Sequence, residues 1–146
     1  MAIKLFTIGF TKKSAAKFFG LLRNAGVRRV IDTRLNRTSQ LAGFSKEQDL
    51  PFLLSEICHA NYETQPLLVP TEEILSAYRK KGIDWSAYEE RFNALIRDRQ
   101  IESRLRPEQF DHACLLCSED KPHQCHRRLV AEYLREKWGD VEVEHL

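Results

Sequence analysis

Residues 3–34 read IKLFTIGFTKKSAAKFFGLLRNAGVRRVIDTR, and this stretch decides the fold class. Ile3 to Gly9 is a mostly apolar run of strand length. Ala15, Phe18, Phe19 and Leu22 then fall at i, i+3, i+4 and i+7, the spacing of one buried helix face. Gly26 closes that helix, because glycine adopts the left-handed conformation just past a helix end at no steric cost. Val27 to Ile31 rises as a second strand that ends at Asp32-Thr33-Arg34. A strand, a helix and a strand make a βαβ unit, and parallel neighbours need such crossovers.

The rest of the chain continues the alternation. Leu35 to Ser45 carries neither period and reads as a loop, long enough to cover the sheet edge as a lid or to be anchored by Phe44. Leu50, Leu53, Leu54 and Ile57 give a second helical face with Pro51 in its first turn, and Asn61-Tyr62-Glu63 fits a short strand. Thr71 is an N-cap with Glu72 and Glu73 in the first turn, and Gly82 is expected to end that helix. Asp84 caps a further helix whose apolar face is Trp85, Tyr88, Phe92, Leu95 and Ile96. Arg91, Arg97, Arg99, Arg104 and Arg106 make the remainder of that stretch basic. His112 to Cys117 has buried-strand character, Leu129 to Trp138 marks a last helix stopped by Gly139, and Val141 to Leu146 is a closing strand. The expectation is an α/β fold over residues 1–146 as one domain, a mainly parallel sheet of about four to five strands with helices on both faces.

Bulk properties narrow the classes. A chain of 146 residues, 42% hydrophobic and 30% charged, has the size and composition of one globular core. Its apolar runs fall far short of the roughly 20 residues of a membrane helix, and Met1-Ala2-Ile3-Lys4 does not open a signal peptide, so a cytoplasmic location without membrane contact is expected. Of four cysteines, Cys114, Cys117 and Cys125 crowd together, unlike a secreted disulfide scaffold, and reduced thiols are the expectation. A net charge of +2 does not announce a nucleic-acid binder.

Ligands of open parallel sheets bind beyond the carboxyl ends of the strands. Gly9, Asp32, Arg34, Cys117 and Glu119 all fall there, with Cys125, His126 and Arg127 at the start of the last helix, where unpaired N–H groups favour an anion. Asp32 and Arg34, two apart on a strand end, share one face and serve either a common ligand or each other as an ion pair. His126 shares the stripe of Leu129, Val130 and Tyr133 and should point inward, as a satisfied core histidine or as a site group. Cys125, opening a helix beside His126 and Arg127, should have its thiolate favoured and react ahead of Cys114. Cys114 and Cys117 have the spacing of a zinc knuckle, but in a strand they point to opposite faces and cannot share an ion. Cys117, His123, Cys125 and His126 remain a possible metal set, although their spacing matches no common structural zinc pattern. Cys58 and His59 read as a packing and a surface residue.

Thr7-Ile8-Gly9, Asp32-Thr33-Arg34 with Ser39 and Phe44, Cys117-Ser118-Glu119, Pro122 and Cys125-His126-Arg127 together resemble the domain of unknown function 488 family, across nearly the whole chain. The resemblance implies an α/β fold and brings no established reaction. This chain departs from the family at Asn36-Arg37-Thr38, where a proline is common, and at Leu67-Leu68-Val69-Pro70, where a Leu-Gly-Gly stretch is common. The rim of the pocket is expected to differ accordingly.

The reading that follows is a protein that binds or processes a phosphate-bearing ligand, such as a nucleotide or a nucleic-acid end. Gly9, Arg34, Ser39, Cys117 and Arg127 would hold it, and Asp32, Glu119, Cys125 and His126 would supply the chemistry. Neither a cofactor nor the enzymatic step is legible. The alternatives are a non-catalytic nucleic-acid-binding module using Arg91 to Arg106, and a metal-binding protein using the Cys/His cluster.

Overall fold

A computed structural model of the chain describes residues 2–37, 43–119 and 122–146. Five strands, β1 (Ile3–Gly9), β2 (Arg29–Asp32), β3 (Asn61–Thr64), β4 (Ala113–Cys117) and β5 (Val141–His145), form one all-parallel sheet in the order β3-β2-β4-β1-β5. The helices are α1 (Ala15–Ala25), α2 (Leu50–Leu53), α3 (Glu72–Arg79), α4 (Trp85–Asp98), α5 (Ile101–Arg104) and α6 (His126–Trp138). The α/β fold with helices on both faces is therefore as the sequence indicates.

The strand order explains the two faces. From β1 to β2 to β3 the chain moves toward one edge of the sheet, and from β3 to β4 to β5 it moves back toward the other. Right-handed crossovers made in opposite directions place their helices on opposite faces. Phe6, Ile8, Phe10, Val30, Cys114 and Leu116 accordingly pack under α1 and α2 with Phe18, Leu22, Leu50 and Leu54. Ile3, Leu5, Ile31, Ala113 and Leu115, the alternate positions of the same strands, pack under α4 and α6 with Tyr88, Phe92, Ile96, Val130 and Leu134. Both faces are apolar, so the strands read as near-continuous hydrophobic runs.

Local signals account for most boundaries. Ser14, Thr71 and Asp84 each accept a bond from a first-turn N–H of α1, α3 and α4, and Gly26 ends α1 at φ 74°. Two boundaries differ from the sequence reading. The second helical face does not stay an α-helix: α2 widens over Leu54–Cys58 into a π-helical turn, which carries Leu54 and Cys58 into the core. Gly82 is not the residue that ends α3, because Lys81 takes the left-handed conformation at φ 58° and α3 stops at Arg79. No helix among the described residues is long and apolar enough to cross a membrane.

β4 leaves toward one face of the sheet while both of its neighbours, β1 and β2, leave toward the other. The chain parts above the carboxyl end of β4, as at the switch points where open sheets hold ligands. Register makes the three ends level: Gly9 pairs with Cys117, and Asp32 with Leu116. Phe92 of α4, fully buried and 5.4 Å from the His126 ring, joins this crevice to the core. Phe92→Ala is expected to cost about 3–5 kcal/mol in a denaturant titration. A loss below about 1 kcal/mol would show that the α4 face is loosely packed.

Candidate functional site

Asp32 and Arg34 meet directly. Arg34 Nε and Nη2 donate to the two carboxylate oxygens of Asp32 at 2.9 and 2.8 Å, a bidentate pair with both side chains buried. Asp32 also accepts from the Arg34 backbone N–H at 3.0 Å and from the Tyr62 hydroxyl at 2.6 Å. Arg34 Nη2 donates further to the Ser45 carbonyl at 2.7 Å, fastening the returning loop to the strand end. Phe44, in the same turn, packs against Phe18 and Phe19, so the loop's return is anchored there. Arg34 Nη1 is different: it is buried and has no hydrogen-bond partner among the described residues.

Arg127 is fully buried and well supplied. Its Nε donates to Thr7 Oγ1 at 3.2 Å, and its Nη1 donates to Cys117 Sγ at 2.9 Å and to the Glu119 carbonyl. Thr7 Oγ1 is also hydrogen-bonded to His145 Nδ1 at 2.6 Å, which ties β1 to β5 beside the buried guanidinium. The Glu119 carbonyl lies where a side chain on residue 9 would be, 1.5 Å from an ideal Cβ, with Arg127 Nη1 at 2.8 Å from the same point. Gly9 is a glycine because the strand ends close on one another there.

His126 Nε2 lies 2.8 Å from the Thr33 carbonyl. A carbonyl accepts only, so Nε2 carries the proton and Nδ1 is left as the acceptor nitrogen. Burial pushes the His126 pKa down to about 4 against the raising effect of that hydrogen bond, and the imidazole is neutral at pH 7. The inward orientation read from the helix stripe is correct.

The cysteines depart from expectation. Cys117 and Cys125 are joined by a disulfide, while Cys58 and Cys114 are free and buried. The expected free Cys125 thiolate is therefore corrected, as is the expectation of reduced thiols at this pair. The reason lies in the chain path: the turn after β4 brings the α6 N-cap back against the strand end, and a bonded sulfur cannot titrate. Cys114 does point away from Cys117, into the core under α1, where burial raises its thiol pKa. With Cys117 and Cys125 bonded to each other and His126 Nε2 given to Thr33, no group of three His, Cys, Asp or Glu among the described residues is arranged to hold a metal.

A cleft of about 90 Å³ opens over these groups. Arg34, Leu35 and Asn36 line it from the segment after β2, Cys117, Ser118 and Glu119 from the end of β4 and the residues after it, and Gln124, Cys125 and His126 from the start of α6. Its remaining wall is Pro70, Leu75, Tyr78, Arg79, Trp85 and Tyr88. Of the residues singled out in the sequence, Arg34, Cys117, Glu119, Cys125 and His126 are brought together at this cleft. Asp32 stands behind Arg34, and Gly9 and Arg127 stand behind Cys117, away from the opening. Ser39, with the rest of 38–42 in the loop read as a lid, lies outside the described residues.

Sequence reasoning missed the aromatic wall. Tyr78, Trp85 and Tyr88 have ring centroids 5.0 to 5.8 Å apart, and the helical period assigned Trp85 and Tyr88 to the core alone. Tyr88 is buried as its helical position indicates, and the available signal for the wall was Tyr78 and Trp85 on either side of the Lys80-Lys81-Gly82 turn.

Residues 14–134 match the family described as domain of unknown function DUF488, and the chain belongs to that family. No curated protein and no solved structure matches it significantly.

Three outcomes are expected from this geometry. Asp32→Asn strands part of the Arg34 guanidinium in a buried site and should cost about 3–5 kcal/mol in denaturant, so an unchanged unfolding midpoint would contradict the pairing. Gly9→Ala forces Glu119 and Arg127 to move and should cost on the order of 1–3 kcal/mol or more, which thermal unfolding can measure. The third concerns pH: the folded His126 takes up its proton near 4 and the unfolded one near ~6.5, so stability present above ~6.5 is lost as pH falls toward 4, by on the order of 3 kcal/mol. His145, also lowered by burial, adds in the same direction. His126→Asn should flatten the slope of stability between these pH values, and an unaltered slope would sink the assignment.

Proposed function

We propose that this member of an uncharacterised family binds the phosphate of a nucleotide or of a nucleic-acid end, with Arg34 and the start of α6 holding the anion. The observation that carries the reading is the Arg34 Nη1 without a partner among the described residues, in a side chain that lines the cleft. A buried donor left unmatched costs about 1–3 kcal/mol, a cost that binding an acceptor would remove. The α6 N-terminus supports the same ligand, because its N-cap residue Cys125 makes no side-chain capping bond and the positive end of a helix favours an anion.

The lining narrows the class. The cleft offers Arg34 and the start of α6 to a phosphate group and carries aromatic side chains in the same lining. A flat ring attached to that phosphate would meet Trp85 and Tyr78 at the cleft wall. Asp32 acts by orienting Arg34, and Gly9 and Arg127 by framing the strand ends. Acid–base work falls to Glu119 and to neutral His126, whose Nδ1 can accept a proton. Cys117 and Cys125 line the cleft but provide no nucleophile while bonded to each other.

A backbone-binding module on Arg91 to Arg106 is less well supported. Arg99 is half-buried and donates to the carbonyls of Leu67 and Val69 at 3.0 and 2.7 Å, and Asp98 and Glu102 interrupt the basic run.

Trp85 supplies the readout. In a Trp138→Phe background a nucleoside 5′-monophosphate is expected to change Trp85 fluorescence saturably, with a weak dependence on salt and at least ~10-fold tighter than the nucleoside alone. Equal effects of nucleotide and nucleoside would contradict the phosphate site. Binding of oligonucleotides alone, falling steeply with salt, would favour the module.

A further inference from the structure

The disulfide between Cys117 and Cys125 lies on the wall of the cleft, not in the core. Both residues line the cleft, with Cys125 4% and Cys117 1% exposed, whereas Cys114 is sealed under α1 and Cys58 sits beside the Phe19 carbonyl. The two sulfurs differ in their surroundings. Cys117 Sγ receives an N–H from the buried guanidinium of Arg127 at 2.9 Å. Cys125 stands at the N-cap of the 13-residue α6, with no side-chain capping bond. A positive group beside a sulfur favours its thiolate and makes it the better leaving group in thiol–disulfide exchange.

We propose that Cys117 and Cys125 are a reversible dithiol–disulfide couple, opened by a small-molecule thiol that enters through the cleft and attacks Cys125. The incoming thiolate forms a bond to Cys125 Sγ as the Cys125–Cys117 bond breaks. The electron pair leaves on Cys117, whose thiolate is held by Arg127. A second thiol then displaces Cys125 from the mixed disulfide. Two thiols are oxidised to one small-molecule disulfide, the protein gains two electrons and two protons, and the atoms balance. Oxidation by a small-molecule disulfide runs the same steps backward. The couple would set whether the cleft presents a bonded pair or two thiols to its contents. It stands on the sulfur positions and on Arg127, and it does not depend on the phosphate reading.

The test is quenched alkylation of the intact native protein in glutathione buffers of graded ratio, with peptide mapping by mass spectrometry. As reduced glutathione rises, Cys117 and Cys125 are expected to become alkylatable together, at least ~10-fold faster than Cys58 and Cys114. Oxidised glutathione should return them to the bonded state. In Cys117→Ser, oxidised glutathione should leave a mixed disulfide on Cys125, and in Cys125→Ser it should leave Cys117 largely unmodified. Three results would overturn the proposal: all four cysteines reacting together at the rate of global unfolding, Cys117 and Cys125 fully alkylatable in oxidised protein without any thiol, or glutathione found on Cys117 in preference to Cys125.

Discussion

A guanidinium with no exposed surface must find its acceptors inside the protein, and the Arg127 side chain finds them at the ends of two strands. Thr7 belongs to β1, Cys117 closes β4, and the Glu119 carbonyl follows it. Burying a cation unmatched costs several kcal/mol, so these groups cannot separate without exposing that cost. The approach is so close that residue 9 has no room for a Cβ. Arg127 thus fixes where β1, β4 and α6 come together, and the cleft is the space left beside that junction. It is a frame for the site rather than a part of its lining.

Arg34, the second buried arginine among the described residues, is matched on one side and open on the other. Its Nε and Nη2 are committed to Asp32 and Ser45, which hold the guanidinium plane in place. Its Nη1 is held by the same plane without an acceptor among the described residues. Folded proteins leave few buried donors unmatched, and those that persist concentrate where a ligand completes the bonding. The pair therefore has both roles weighed from the sequence: an ion pair that fastens the loop, and a preorganised donor at the cleft. His126, neutral at pH 7, lines the same cleft without adding a charge to it.

The sequence made the fold legible because the signals were local and agreed with one another. Period-two and period-3.6 patterns, caps at Thr71 and Asp84, and Gly26 past α1 each depend on a few neighbouring residues. Convergence of Arg34, Cys117, Glu119 and His126 was legible as well, because a parallel sheet sends all its carboxyl ends to one side. What escaped required distances between elements. Arg127 looks like an anion-binding residue until Thr7, Cys117 and Glu119 are seen to occupy it. Cys125 looks like a reactive thiol until the return of the chain brings it to Cys117. Tyr88 is core as its helical position indicates, but Trp85 looks like core until α3 is folded beside α4, leaving Trp85 and Tyr78 half-buried at the cleft.

The most direct test of the contrast between the two buried arginines is NMR of their guanidinium groups, with ¹⁵N-labelled arginine and stepwise addition of inorganic phosphate. The Arg34 Nε and Nη resonances are expected to shift saturably as phosphate takes the bond that Nη1 lacks, while the Arg127 resonances stay fixed. Unchanged Arg34 resonances at saturating phosphate, with shifts confined to exposed arginines such as Arg91 and Arg104, would contradict the account.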